Sequence, residues 1–219
     1  QSGSSSAESP TTDLGWLTAL GRQPEQQQRP WYLLLNPTAL NSEAWLQQLD
    51  ADSAHSPPWG NMRFHKVDSG SAQLQAWLGT EATLLEPRIQ DWAQGEVSDE
   101  AVWAQLYAAL RQCRPRAPLQ GILLLLDPAW LLSPEQHASR EPRRLIVRLQ
   151  EIAEQLQIHP RLYCYTTGLE ALEGFTLWSN ALPPDSQQQP LGVQFSQHSH
   201  HWQDELQGFW QHWREQLAH

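Results

Sequence analysis

The sequence predicts an α/β protein, with a mostly parallel sheet flanked by helices on both faces and an amphipathic helix at the carboxyl end. Two observations favour this fold class. Gly121-Ile-Leu-Leu-Leu-Leu126 is a wholly apolar run, as expected of a strand that helices cover on both faces. A helix predicted over about 142–157 joins it to a second strand, Arg161–Tyr165. A strand, a long helix and a parallel strand in this order form a βαβ crossover.

The other elements follow from apolar spacing and from Gly and Pro as breakers. Before the crossover we expect a helix ending at Gly21, a Gln-rich loop over 23–29, a strand Trp31–Leu35 and a helix over 44–49. These are followed by strand-like segments Phe64–Val67 and Gln73–Leu78, a strand Glu81–Leu85 and a helix over 99–113. Gly79-Thr80 makes the last two strand segments a hairpin. We expect the central strands of the sheet to be Trp31–Leu35, Glu81–Leu85, Gly121–Leu126 and Arg161–Tyr165.

Later in the chain, Ser133-Pro134-Glu135 predicts a helix start, and Gly192–Phe195 predicts a last short strand. We expect one α/β domain over 13–196, a disordered polar segment over 1–12, and a helix over 197–219 that packs on the domain. The closing helix is predicted because Ser199 can cap it and large apolar residues recur on one face. These residues are Trp202, Leu206, Phe209, Trp210, Trp213 and Leu217.

Composition excludes some classes of function. A net charge of -10 with only 14 Lys and Arg residues argues against nucleic acid or an anionic membrane as the main partner. No apolar run reaches the length of 18 residues or so that a spanning helix needs, so nothing in this chain is predicted to cross a bilayer. Cys113 and Cys164 have neither metal-site spacing nor a disulfide pattern, which favours a reduced, cytoplasmic compartment.

The loop after the first strand stands where a nucleotide-binding α/β domain carries its phosphate loop, GxxxxGK[ST]. Asn36 and Asn41 occupy the two Gly positions, Ser42 the Lys position and Glu43 the hydroxyl position. A phosphate loop needs Gly for close backbone approach, Lys for charge and a hydroxyl for the metal ion. Pro37 also lacks an amide donor. We therefore predict that residues 36–43 do not cradle a phosphate.

Two further nucleotide motifs are altered at other strand ends. Where a GTPase-like domain reads DTAG, with an acid for the metal and a Gly for the γ-phosphate, this chain has Glu86 and then Ile89 at the Gly position. Where a guanine-reading TKxD would follow strand 161–165, the chain has Gly168 for Lys and Glu170 for Asp. The order of elements is that of a nucleotide-binding domain, and the chemistry-bearing residues are replaced.

Several segments match, in order, motifs such as DTAG-containing strands, GVILTLS, LGVRLPVY and a WGFTF ending. They are Gln75–Glu86, Cys113–Gly121, Leu156–Tyr163, Leu172–Phe175 and Leu191–Phe195. This order resembles the cytoplasmic amino-terminal domain of the TssM/IcmF family, the large inner-membrane component of type VI secretion systems. The resemblance covers roughly residues 30–196, and the departures concentrate in the three nucleotide motifs.

The resemblance implies a GTPase-like fold with degenerate nucleotide motifs, acting as a non-catalytic interaction module of the type VI secretion membrane complex. It implies no cofactor and no bound metal. The parent protein would be anchored in the inner membrane, with this domain on the cytoplasmic face. Its implied partners are the baseplate components TssK and TssG and the membrane-complex subunit TssL. The alternatives are a residual NTP-binding switch with an altered loop and an adaptor from an unrelated α/β family.

Twelve tryptophans in 219 residues are far above ordinary usage. Trp45, Trp92 and Trp130 follow strand ends, where α/β folds place their sites, so they either form a recognition surface or cover the edge of their own core. For the other candidate residues we expect structural or solvent-exposed roles without catalysis or metal binding. Asp127 is expected to cap a helix or turn with Pro128, and Glu43 and Glu86 to be solvated loop residues rather than a catalytic carboxylate pair. The histidines 198, 200 and 201 are expected to be exposed rather than metal ligands.

Overall fold

The computed structural model describes residues 14–51, 63–88, 97–133, 141–184, 192–195, 204–209 and 211. The predicted disordered segment over 1–12 lies outside these residues, as do Ile89, Trp92 and the three histidines. The chain divides into two compact units, Gln1–Trp178 and Ser179–His219, which are described separately. All six strands belong to the first unit.

The sheet confirms the predicted fold class. Its strands are β1 (Trp31–Leu35), β2 (His65–Lys66), β3 (Leu74–Leu78), β4 (Thr83–Pro87), β5 (Gly121–Leu126) and β6 (Arg161–Thr166). They lie in the order β2-β3-β4-β1-β5-β6. The four strands β4, β1, β5 and β6 are mutually parallel, whereas β3 runs antiparallel to both β2 and β4.

Helices connect and cover these strands. They are α1 (Gly15–Gly21), α2 (Pro24–Gln28), α3 (Ser42–Ala51), α4 (Val97–Cys113), α5 (Pro128–Leu132), α6 (Glu141–Leu156) and α7 (Phe175–Ala181), with a 3-10 turn at Leu169–Ala171. In the second unit, residues 204–209 and 211 are helical, which agrees with the predicted closing helix over that stretch. None of the helices in the described part of the chain is both long and apolar enough to cross a membrane.

Side-chain alternation along the strands builds a core on each face of the sheet. In β1, Leu33 and Leu35 face the larger core, to which helices α1, α4 and α6 contribute, while Leu34 faces the opposite side. There α3 supplies Trp45 and Leu46. Every residue of β5 is buried, as its apolar sequence predicts for a strand in the middle of a sheet covered on both faces.

The structure corrects the predicted place of the last strands. β6 was expected among the central strands, but it lies at the sheet edge, and Leu162 on it is 48% exposed. Its apolar and aromatic composition is typical of a central strand, which is why the sequence misleads. Gly192–Phe195 is not a strand, because its residues are exposed or half-buried and little apolar burial offsets the cost of ordering them.

Some element bounds also differ from the predictions. β4 begins at Thr83 rather than Glu81 and continues through Glu86 and Pro87, so Glu86 lies within the strand. The Gln-rich loop contains helix α2, which begins with Pro24 at its first position, where the missing amide costs nothing. The predicted β3–β4 hairpin is confirmed, and the Gly79 amide donates to the Ala82 carbonyl at 2.8 Å to close its turn. The helix start predicted at 133–135 falls mostly outside the described residues.

Candidate functional site

The site expected for this fold lies at the carboxyl ends of the parallel strands. The chain leaves β1 through α3 toward the β2–β4 side of the sheet, and it leaves β5 through α6 toward β6 on the other side. Neighbouring strands whose connections diverge in this way open a crevice where open α/β sheets bind their ligands. The loop after β1, Glu86 of β4, Asp127 after β5 and Gly168 after β6 all lie at this edge of the sheet.

The loop after β1 folds around the Asn36 side chain. Its amide nitrogen donates to the Leu40 carbonyl at 2.7 Å, and its oxygen accepts from the Leu40 amide at 3.0 Å. The Ala39 amide donates to the Asn36 carbonyl at 3.2 Å. Ala39 adopts the left-handed φ of 52°, so the turn is made without glycine at Asn36 or Asn41. The Ala39 and Leu40 amides are therefore both bonded to Asn36, within the loop itself.

Asn41 caps the helix that follows. Its side-chain oxygen accepts from the Ala44 amide at 3.0 Å, and its carbonyl accepts from the Trp45 amide at 3.1 Å. Glu43 is exposed in the first turn of α3, where a carboxylate interacts favourably with the helix dipole. The positive helix end, which binds a phosphate in nucleotide-binding domains, is thus capped by residues of the chain itself.

Glu86 is the centre of the polar contacts in the crevice, and it is only 4% exposed. The Ser42 hydroxyl donates to its carboxylate and lies 2.8 and 2.9 Å from the two oxygens. The indole nitrogen of Trp77 donates to Oε2 at 3.0 Å, and the Asn36 amide lies 3.5 Å from Oε1. Arg88, half exposed, lies 3.8 Å from Oε2. The expectation that Glu86 is a solvated loop residue is therefore wrong.

These contacts join residues at the altered nucleotide motifs. Ser42 stands at the Lys position of the phosphate loop and Glu86 at the acidic position of the DTAG-like segment. In a GTPase the acid at that position serves a metal ion. Here the Ser42 hydroxyl at the start of α3 and the Trp77 indole of β3 donate to the carboxylate. The carboxylate is stabilised by the fold itself.

Asp127 and Gly168 serve the backbone after the next two strands. Asp127 caps α5, with its carboxylate accepting from the Ala129 amide at 2.7 Å, which confirms the predicted capping role. Gly168 adopts a left-handed φ of 84° at the start of the 3-10 turn. A lysine, which the guanine-reading motif would place there, is strained in that conformation. Glu170, at the base-reading position, is exposed.

The structure corrects one predicted recognition residue. Trp45 is 8% exposed and belongs to the second core, where its ring lies 5.6 Å from that of Tyr165. It is a core residue and offers no recognition surface. Trp130 is half-buried and packs against the larger core, so only part of its ring faces solvent. Trp92, the third candidate, lies outside the described residues.

Trp77 is a site residue that sequence reasoning missed. In the β3–β4 hairpin Trp77 pairs with Leu84 and Gln75 pairs with Glu86, which places Trp77 diagonally opposite Glu86 on one face. The pairing register of the predicted hairpin could have revealed this contact. The predicted strand, however, began at Glu81, and the sequence did not determine which residues of the two strands pair. Among the described residues, no three His, Cys, Asp or Glu side chains are grouped to hold a metal ion.

Two comparisons with known proteins identify the family of this chain. A family model described as the IcmF-related N-terminal domain matches residues 96–219. The chain is also similar to the type VI secretion system component TssM1 of Pseudomonas aeruginosa, with 22% identity over 170 residues. That alignment covers 76% of this chain but only 15% of the relative. The chain thus spans a small part of that relative's length.

Proposed function

Because this chain belongs to the IcmF-related N-terminal domain family, we propose that it is a non-catalytic interaction module of a type VI secretion machine. In this proposal the domain is a pseudo-GTPase, whose nucleotide crevice is closed by its own side chains. It acts by recruiting proteins to a fixed surface, without turnover. The name of its Pseudomonas relative places that protein in type VI secretion and supports the assignment to this machine.

The observation that carries the proposal is the satisfied Glu86 carboxylate. A buried charge is costly unless hydrogen bonds compensate for its lost hydration, and here Ser42 and Trp77 supply them. A nucleotide with its metal ion would have to break these contacts. It would also bring phosphate charge toward Glu86 and Glu43, with no loop lysine to neutralise it.

The proposed partners follow from the family. In a type VI machine the domain would dock the baseplate components TssK and TssG to the membrane complex and lie beside the cytoplasmic part of TssL. This arrangement places it at the cytoplasmic face of the inner membrane. A pulldown with purified TssK and TssG from the same bacterium, with and without nucleotide, tests this part. Binding that requires GTP or ATP would contradict a nucleotide-independent role.

Nucleotide titration tests the closed crevice directly. Fluorescent GTP and ATP analogues are added with Mg²⁺, and energy transfer from the abundant tryptophans is followed. We expect no saturable binding below millimolar concentration. Saturable binding that unlabelled nucleotide displaces would instead support a residual nucleotide switch. Glu86→Ala removes the buried carboxylate and distinguishes a nucleotide site in this crevice from one elsewhere. Only a nucleotide that binds in the crevice should bind this variant with a changed affinity.

A further inference from the structure

The edge of the sheet opposite the crevice is rich in arginine, although the chain carries a net charge of -10. Seven arginines lie at or beside the amino ends of the strands among the described residues. They are Arg22, Arg29, Arg63, Arg111, Arg114, Arg116 and Arg161. The acidic residues described at this edge are Glu25, Glu81 and Glu154. We name the seven arginines the arginine edge.

The strand register gathers these residues from distant parts of the sequence. Arg161 opens β6 and pairs with Gly121, the first residue of β5, which in turn pairs with Tyr32 of β1. Arg63 precedes β2, whose first residue pairs with Leu78 at the same end of β3. Helix α4 starts after β4 and returns to this edge, so Arg111 in its last turn and Arg116 in the next loop also lie here.

Buried contacts fix the middle of the arginine edge. Arg114 is buried, its guanidinium lies 5.1 Å from the centre of the Trp31 ring, and it donates to the carbonyls of Gln26, Arg29 and Ala117. Arg29 donates to the Gly79 carbonyl at 2.8 Å, which ties the end of α2 to the hairpin turn. These hydrogen bonds join the end of α2, the hairpin turn and the loop after α4.

Arg22 and Arg116 are exposed members of the arginine edge whose surroundings the structure describes. Arg22 follows α1, where Gly21 lies against Cys113. Burial raises the pKa of the Cys113 thiol, and the charges of Arg114 and, more weakly, Arg22 oppose that rise. Arg116 lies in the loop that Arg114 anchors. Both side chains therefore belong to one surface beside the C-terminal end of α4, and both are exposed.

We propose that the arginine edge is a docking surface for an acidic protein surface, one that presents Asp and Glu side chains. Guanidinium groups bind carboxylates through two parallel hydrogen bonds, and arginine is enriched at protein interfaces. An anionic bilayer fits less well, because its charged surface extends beyond the arginine edge and repels the rest of this acidic chain. The proposal involves the edge opposite the crevice and does not depend on whether the crevice binds nucleotide.

Charge reversal tests the proposal, with a fluorescein-labelled hexaglutamate peptide as the probe and fluorescence anisotropy at low ionic strength as the readout. We expect saturable binding by the unaltered chain. The double variant Arg22→Glu/Arg116→Glu should bind at least about tenfold more weakly, since each exposed guanidinium lost also becomes a repulsive charge. Arg116→Glu alone should give an intermediate loss. Circular dichroism and thermal melting establish that each variant is folded.

Arg143→Glu is the matched control, because Arg143 is an exposed arginine at the start of α6, at the opposite edge of the sheet. It changes the net charge as Arg116→Glu does and should alter the affinity less than twofold. Equal losses of peptide affinity in Arg143→Glu and Arg116→Glu, or no saturable binding of the peptide to the unaltered chain, would overturn the proposal. Binding to phosphatidylglycerol vesicles but not to the peptide would replace it with a lipid surface. Salt-sensitive self-association that the double variant abolishes would replace it with a second copy of the chain.

Discussion

At the scale of single residues, Glu86 decides how the crevice behaves. Its carboxylate is an acceptor for two buried donors, the Ser42 hydroxyl and the Trp77 indole. In a working GTPase an aspartate at this position serves a metal ion, whereas here Glu86 joins helix α3 to the β3–β4 hairpin through Ser42 and Trp77. Glu86 is therefore a structural link between two elements.

Removing this link should destabilise the fold. Glu86→Ala leaves the buried donors of Ser42 and Trp77 without an acceptor, at a cost of about 1–3 kcal/mol for each. Urea unfolding followed by circular dichroism measures the loss. Glu43→Ala, a change at the neighbouring exposed carboxylate, should alter the free energy of unfolding by no more than about 0.5 kcal/mol. Similar losses in both variants would show that Glu86 carries no special role.

Restoring two residues of the phosphate-loop motif should not restore nucleotide binding. In Ser42→Lys/Glu43→Thr the lysine is introduced beside Glu86, whose carboxylate the native Ser42 hydroxyl contacts at 2.8 Å, so we expect the ammonium to pair with that acid and not with phosphate. The loop also still makes its turn at Ala39, with the Ala39 and Leu40 amides bonded to Asn36. Micromolar affinity for GTP in this variant, measured by calorimetry, would show that the loop keeps a phosphate-binding geometry.

Tyr107 should make stability fall at alkaline pH. Burial raises its pKa to about 12, although the neighbouring Arg148 guanidinium opposes the shift. In the unfolded chain a tyrosine ionises near pH 10. The folded state therefore holds the proton more tightly, and this stabilisation is present below pH 10 and lost as the pH rises to 12. Tyr107→Phe should unfold with a shallower pH dependence in that window, and an unchanged dependence would assign the effect to other groups.

At the scale of elements, the strands of the sheet were predictable from sequence, but the edge position of β6 was not. β5 could be identified from six residues, because a parallel strand buried on both faces has no polar face. β6 contains Leu, Tyr and Cys and has the same β-propensity, so its sequence does not reveal that it lies at an edge. Likewise the loop residues Asn36 and Ser42 were recognised from spacing, while the burial of Glu86 depends on a cross-strand register that composition does not encode.

Gly121 is required where β5 meets β6. A Cβ atom there would lie 2.9 Å from the Arg161 carbonyl and between the rings of Tyr163 and Tyr32, at 3.1 and 3.2 Å. Gly121→Ala should therefore push the two strands apart and cost about 1–3 kcal/mol in unfolding free energy. Gly192→Ala is the control, because nothing lies within 4 Å of its Cβ position. If chemical denaturation gives equal stability for both variants, the strands tolerate the added methyl group.

At the scale of the whole molecule, the packing of the closing helix remains a prediction from sequence. Its apolar stripe includes Trp213, which lies outside the described residues, and burying such side chains stabilises by roughly 1.5–3 kcal/mol each. If the helix packs on its own domain, Trp213→Ala should lower the unfolding free energy by roughly 3–5 kcal/mol, measured by thermal melting. Unchanged melting together with lost binding to a baseplate component would identify the stripe as an interface.

The position of β1 between β4 and β5 has a consequence for biosynthesis. Its two partner strands lie about 50 and about 90 residues further along the chain. At roughly 5–20 residues per second, a ribosome needs about 5–20 seconds to deliver β5 after β1 has emerged. During that time Trp31-Tyr-Leu-Leu-Leu35 lacks its β5 partner, and that edge of the strand is open. The nascent chain should therefore depend on chaperones holding this segment, and slow, non-local pairing should limit its folding rate.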